Sequence, residues 1–232
     1  CQNYGPHTAN FTLVHCKKRS VGESRMISGD MRLVNHHRFW LYIQDSGADW
    51  RQHLVTECQM KTKMNIRSLS QTYERDGYIF GVPILSRGSA AQHRASMEAA
   101  EEQIGSLHYK SKVHTILTSP LQLATDPSVL DVVESMIGPD ILLYNVTYII
   151  KEPNAPSHVS WHQDLTYWGL SHDDQVSMWL ALTVADDVSG CMRMLPGSQK
   201  HGRYDHETTQ DESSVLLQGQ TVRGIDEDTA VF

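Results

Sequence analysis

The run from Ile141 to Lys151 constrains this chain more than any other stretch. Gly138-Pro139 precedes it, pairing a glycine suited to a left-handed helix end with a residue that cannot continue a helix. Between there and Glu152-Pro153 the residues are mostly β-branched and aromatic, which reads as a strand. Side chains of a strand alternate between its faces. Leu142, Tyr144, Val146, Tyr148 and Ile150 therefore share one face, and Leu143, Asn145, Thr147, Ile149 and Lys151 the other. Polar groups are costly in a dry core, so the second face is expected to border a wet pocket. Lys151 at its end reads most simply as a solvated strand-end lysine.

More strands follow. Val176–Val184 forms a second strong one, and Cys191–Leu195 a third, ended by Pro196-Gly197-Ser198. A final strand starts near Thr229. Before Ile141 the signals are helical. Ile66–Tyr73 reads as a short amphipathic helix with Asn65 as its N-cap, running into the Asp76-Gly77 turn and a strand-like Ile79–Val82. Ser89-Ala90-Ala91-Gln92 has the form of a capping box. Behind it Met97, Ala100, Ile104 and Leu107 fall on one helical face, and that helix should end near His108. Lys112–Leu117 reads as a short strand, and Asp126-Pro127 opens another helix. His201–Glu212 is polar and reads as a surface excursion. Helices first and strands later make an α+β pattern, with a double-sheet jelly roll as the expected β component.

Composition narrows the function classes. The 232 residues suffice for one sizeable domain with or without an appendage. A formal net charge of −7 and the lack of any Lys/Arg run argue against a nucleic-acid partner. No apolar stretch approaches membrane-spanning length and no signal-peptide pattern opens the chain, so no membrane association is expected. Cys1, Cys16, Cys58 and Cys191 show no C-x-x-C spacing, which favours a reduced, cytoplasmic setting. The chain starts at Cys1 and stops at Phe232 within an apolar stretch, which suggests a fragment. Residues 1–59 are expected to be an irregular or untranslated extension, and 60–232 the domain.

Within that domain, His162-Gln163-Asp164 is the candidate site. In an extended chain His162 and Asp164 would project the same way, offering an imidazole nitrogen and a carboxylate oxygen to one point. That donor mix suits a non-haem Fe(II), with a third ligand completing a facial triad. The bland alternative is a capped turn holding a hydrogen-bonded pair. Trp161, Tyr167 and Trp168 beside it read as packing or pocket-wall residues.

From about Ile66 to its end the chain resembles the phytanoyl-CoA dioxygenase family of Fe(II)- and 2-oxoglutarate-dependent oxygenases. The segments that carry the likeness are Tyr73–Tyr78, Trp161-His162-Gln163-Asp164, Tyr167–Leu170, Trp179–Leu182 and Leu195-Pro196-Gly197-Ser198-Gln199-Lys200-His201-Gly202. The resemblance implies a double-stranded β-helix (jelly-roll) barrel buttressed by helices, with its last strands missing from this chain. It implies Fe(II) bound by His162 and Asp164, with 2-oxoglutarate as co-substrate and O₂ and a small-molecule substrate as partners. A further histidine and an arginine on a later strand would complete the site beyond Phe232. Neither His201 nor His206 fits that role by position. The likeness places Lys112, Thr147, Gln163 and Trp179 at the co-substrate. Related halogenases keep a small residue where Asp164 stands, so hydroxylation of an unactivated C–H in a small or lipid-like metabolite is the implied reaction. A non-catalytic jelly-roll binding module, or an inactive fragment without the distal His and Arg, is the alternative.

Overall fold

The structure, a computed structural model, describes residues 7–15, 40–43, 66–151, 158–170, 174–186, 190–208 and 220–231. The strand read from Ile141 onward is β4 (Ile141–Ile150), and the run after the His162 turn is β5 (Gln175–Ala181). They do not pair with each other. A strand from early in the chain, β1 (His7–His15), lies between them and is antiparallel to both. On the far side of β5, β2 (Trp40–Ile43) runs parallel to β5 and to β3 (Tyr78–Ile79). The result is a mixed five-stranded sheet of order β3-β2-β5-β1-β4. Residues 1–59, read as an extension outside the domain, thus supply two of its five strands. Their partners lie far along the chain, so no local pattern announces the pairing. Among the described residues this sheet is open, and a two-stranded ribbon of β6 (His206–Thr208) and β7 (Gln220–Val222) stands apart from it.

The alternation read from the sequence holds for the second half of β4, but a register shift at Tyr144 reverses it before that point. Ile141 and Leu143 pack against the core, while Leu142 is exposed and Tyr144 lies against Trp168. Val146 and Tyr148 of β4 and Val176, Met178 and Leu180 of β5 are buried in one apolar cluster. Four helices contribute to that cluster: α1 (Ile66–Asp76) through Tyr73, α2 (Arg87–Ile104) through Met97, α3 (Thr118–Ala124) through Leu123, and α4 (Pro127–Ile137) through Val129, Val132 and Val133. Burying one such aliphatic side chain is worth about 1.5–3 kcal/mol, which fixes this face of the sheet against the helices. The opposite face of β4 and β5 is left for the polar side chains.

Local chemistry explains most element ends. Asp126 Oδ1 accepts from the Ser128 N–H at 2.8 Å and Pro127 opens α4, while Gly138 closes it at φ 83°. The cap of α2 is Ser86, whose hydroxyl accepts from the Ser89 N–H, so the expected capping box lies one turn inside the helix. That helix stops at Ile104, which is half exposed, and Leu107 is buried beyond its end. The expected strand at Lys112–Leu117 is instead a 3-10 turn, Val113–Thr115, entered through Lys112 in the left-handed region at φ 60°. The expected Cys191–Leu195 and C-terminal strands reduce to one antiparallel bridge, in which Met194 and Val231 exchange two N–H···O bonds of 2.9 Å. Ile79–Val82 contributes only Ile79, to β3, and Asn65 lies outside the described residues. The polar His201–Glu212 region contains β6.

β4 is an edge strand, and residues 107–112 cover its edge. The Tyr109 N–H donates to the Tyr148 carbonyl, and the Ile150 N–H donates to His108 Nδ1, both at 2.9 Å. Covering an edge in this way removes a template for intermolecular pairing.

Candidate metal centre

The polar face of β4 looks into a cavity of about 750 Å³, whose wall includes Asn145, Thr147, Ile149 and Lys151 from β4 and Trp179 from β5. His162 and Asp164 line the same cavity. They do not converge by strand alternation, as the sequence suggests. Asp164 is helical (φ −55°, ψ −44°) and leads into a single turn, α5 (Leu165–Trp168), with the Tyr167 N–H donating to its carbonyl at 2.9 Å. The turn still brings His162 Nε2 to 3.2 Å from Asp164 Oδ1.

Each member of the pair is oriented from behind. His162 Nδ1 lies 2.8 Å from the Ser160 carbonyl oxygen, which can only accept. The ring proton therefore sits on Nδ1, and Nε2 turns its lone pair toward the carboxylate. Asp164, 7 % exposed, receives the Ser177 hydroxyl proton on Oδ2 at 2.5 Å, which leaves Oδ1 to face the imidazole. Two lone-pair atoms this close repel unless positive charge lies between them. A proton there would make the bland ion pair, and a divalent cation would make the first two ligands of a metal site. The donor set, one imidazole nitrogen and one carboxylate oxygen, fits Fe(II). Among the described residues no third His, Cys, Asp or Glu joins the pair.

Gln163, between them, is turned elsewhere. Its side-chain Nε2 donates to the Gly202 carbonyl at 3.1 Å and its Oε1 accepts from the Tyr204 N–H at 2.9 Å. Both ends of the amide are engaged by that segment, although Gln163 still lines the cavity. Lys112 departs from expectation, since its ammonium lies 5.6 Å above the Tyr144 ring. Its backbone serves the pocket instead: the Lys112 N–H donates to Asn145 Oδ1 at 2.7 Å, and Asn145 Nδ2 donates to Thr147 Oγ1 at 2.9 Å. Thr147 is thereby held in the cavity wall with its own proton left for an acceptor. Trp179 is 4 % exposed and packs with Ala185, Cys191 and Met192 at the cavity.

Trp161, Tyr167 and Trp168 are wall residues, as read from the sequence. The Arg193 guanidinium lies 5.7 Å over the Trp161 ring, and Tyr144 donates to the Trp168 carbonyl at 3.1 Å. Lys151 is not a solvated strand end. It donates to the Gly190 carbonyl, and burial pushes its ammonium below the ordinary lysine value. Sequence reading missed Ser160, Ser177 and Tyr109, and named His206 only to set it aside as the distal ligand. Ser177 could have been found as the lone hydroxyl between Val176 and Met178 in an apolar strand. Nothing in the local sequence marks Tyr109, whose phenol is pushed up to about 12 by burial and by the nearby Asp164 carboxylate.

Comparison with known proteins meets this geometry from the other side. The profile of the phytanoyl-CoA dioxygenase (PhyH) family matches residues 73–230. The probable alpha-ketoglutarate-dependent hypophosphite dioxygenase of Stutzerimonas stutzeri is 30% identical over 88 residues, 38% of this chain and 30% of that protein. An ectoine dioxygenase of Streptomyces avermitilis is 26% identical over 148 residues, 56% of this chain and 50% of the relative. The peroxisomal phytanoyl-CoA dioxygenase of Bos taurus is 30% identical over 110 residues, 46% of this chain and 33% of the relative. The chain thus spans no more than half the length of these relatives. No solved structure matches it significantly. With the match running from the last turn of α1 through the His162–Asp164 turn to Ala230, the chain belongs to the phytanoyl-CoA dioxygenase family.

Proposed function

We propose that this chain carries the catalytic part of an Fe(II)- and 2-oxoglutarate-dependent dioxygenase with a jelly-roll barrel, its sheet completed by β1 and β2 from before residue 60. It hydroxylates an unactivated C–H bond of a small or lipid-like metabolite, with succinate and CO₂ as co-products. The observation that carries this reading is the approach of His162 Nε2 to Asp164 Oδ1 at 3.2 Å inside a family-matched cavity. Both would be iron ligands. When bound, the iron supplies the redox chemistry that couples O₂ and 2-oxoglutarate to hydroxylation.

The chain's own residues do the positioning. Ser160 fixes the His162 tautomer and Ser177 fixes the Asp164 rotamer, so neither ligand reorganises on metal binding. Thr147 offers its hydroxyl proton to a carboxylate oxygen of the co-substrate, and Trp179 walls that end of the cavity and excludes water. Lys112 and Gln163 support the site through the backbone and the turn respectively. The named relatives act on hypophosphite, ectoine and phytanoyl-CoA, a range too wide to transfer a substrate. Among the described residues no helix is long and apolar enough to cross a membrane, which is compatible with a cytoplasmic enzyme.

The test is succinate release from 2-oxoglutarate with Fe(II) and O₂. Asp164→Ala should abolish it, and undiminished turnover in that variant would overturn the assignment. Metal binding by the unsubstituted protein without succinate release would favour the alternative, a non-catalytic binding module or an inactive fragment without the distal His and Arg.

A further inference from the structure

We infer that the segment Gly202–His206 is a clasp that holds the metal-binding turn in shape, with His206 as its positioning residue. This rests on the reading of His162 and Asp164 as metal ligands. Three hydrogen bonds to Gln163 cross between the two segments. Its N–H donates to His206 Nε2 at 3.0 Å, its Nε2 donates to the Gly202 carbonyl at 3.1 Å, and its Oε1 accepts from the Tyr204 N–H at 2.9 Å. Gln163 is 9 % exposed, so water is a poor substitute for these partners.

The protonation of His206 follows from its partners. A backbone N–H can only donate, so His206 Nε2 must carry a lone pair. The Tyr204 carbonyl, 2.9 Å from Nδ1, can only accept, so the ring proton is on Nδ1. His206 is thus a neutral imidazole whose acceptor nitrogen is spent on the middle residue of His162-Gln163-Asp164. In this geometry it is not a ligand but the group that stops Gln163 from turning. Rotation of that one peptide would swing the flanking His162 and Asp164 apart. Tyr167 ties the arrangement together, its ring edge-to-face with both His162 and His206 at centroid distances of 5.9 and 6.4 Å. The ribbon anchors the clasp from a second point, because the Val222 N–H donates to the Trp161 carbonyl at 2.9 Å while β6 pairs with β7.

The experiment is Co(II) titration of the purified protein, followed by the visible d–d bands and read as dissociation constant and band position, alongside hydrogen exchange at the Gln163 amide. In His206→Leu, Co(II) affinity should fall about ten- to a hundredfold. The bands should shift, and Gln163 should lose exchange protection while the β4 and β5 amides keep theirs. His206→Gln, whose carbonyl can accept from the Gln163 N–H, should recover most of the affinity and the wild-type spectrum. A purely structural histidine would lower stability without moving the cobalt spectrum. Unsubstituted protein that binds no Co(II) would overturn the metal reading itself. Co(II) binding that is the same in wild type and His206→Leu would overturn the clasp. Should His206→Leu not fold, Gln163→Ala, which removes the two side-chain bonds and keeps the backbone bond to His206, takes its place with cobalt affinity and band position as the criteria: a weakened, shifted site supports the clasp, and wild-type cobalt binding overturns it.

Discussion

At the scale of single residues, the site is governed by which lone pairs are already used. Asp164 has two carboxylate oxygens, and Ser177, 0 % exposed, takes one of them. Removing that hydroxyl leaves a buried carboxylate oxygen without its donor, a loss of about 1–3 kcal/mol. Ser177→Ala should therefore lower the Tm by several degrees, about 2–4 °C per kcal/mol for a chain of this size, in a calorimetric scan of the metal-free protein. An unchanged Tm would show that the bond contributes nothing. The two proposed ligands were legible in the sequence, because His162-Gln163-Asp164 stands in order among the other segments that carry the family resemblance. Their partners were not. Ser160 acts through its carbonyl, which every residue has, and Ser177 reaches Asp164 only because β5 passes behind the turn.

At the scale of elements, the Pro196-Gly197-Ser198 segment has a physical task beyond its value as a family signature. The last carbonyls of α1 lack partners within the helix. Three of them are taken from outside: Gly197 N–H donates to the Asp76 carbonyl at 2.8 Å, and Gln199 Nε2 donates to those of Glu74 at 3.1 Å and Arg75 at 3.3 Å. Between these lies Gly77 at φ 82°, and a Cβ built there would overlap the Gln199 side-chain amide. Gly77→Ala should cost at least the left-handed penalty of about 1–2 kcal/mol, and more if Gln199 is displaced. A lowered urea midpoint with an unchanged slope is the expected reading, and an unshifted midpoint would refute the packing described here. The Asp76-Gly77 turn was readable from composition, as was the helix opened by Asp126-Pro127. The elements misread from sequence, at Lys112–Leu117 and Cys191–Leu195, are short segments whose conformation is set by their neighbours.

At the scale of the whole molecule, the sheet divides a dry side from a wet one. Tyr148 marks the dry side, fully buried, with its phenol pushed up to about 12 by burial. Because the folded state holds this proton more tightly than the unfolded state, its contribution to stability is complete below pH 10 and is lost as pH rises from about 10 to 12. Two pKa units correspond to about 3 kcal/mol. Urea unfolding repeated across that window should show stability falling with pH, and Tyr148→Phe should flatten the fall. A slope unchanged by that substitution would assign the alkaline loss to other groups.

The sequence by itself determined the wet and dry faces of β4 from Asn145 onward, because a strand's alternation is a local property, while the bulge at Tyr144 that reverses the faces before it came only with the pairing to β1. It also determined the family, and with it the pair proposed to bind the metal, through motifs that stay in order along the chain. Tertiary structure alone decided how that pair converges, since a helical turn and not an extended strand brings His162 to Asp164. It placed His7–His15 between two strands far away in the chain, and it committed Gln163 and His206 to each other across forty-three residues. A pairing over such a distance is selected by the free energy of the assembled sheet and cavity, which no stretch of neighbouring residues carries.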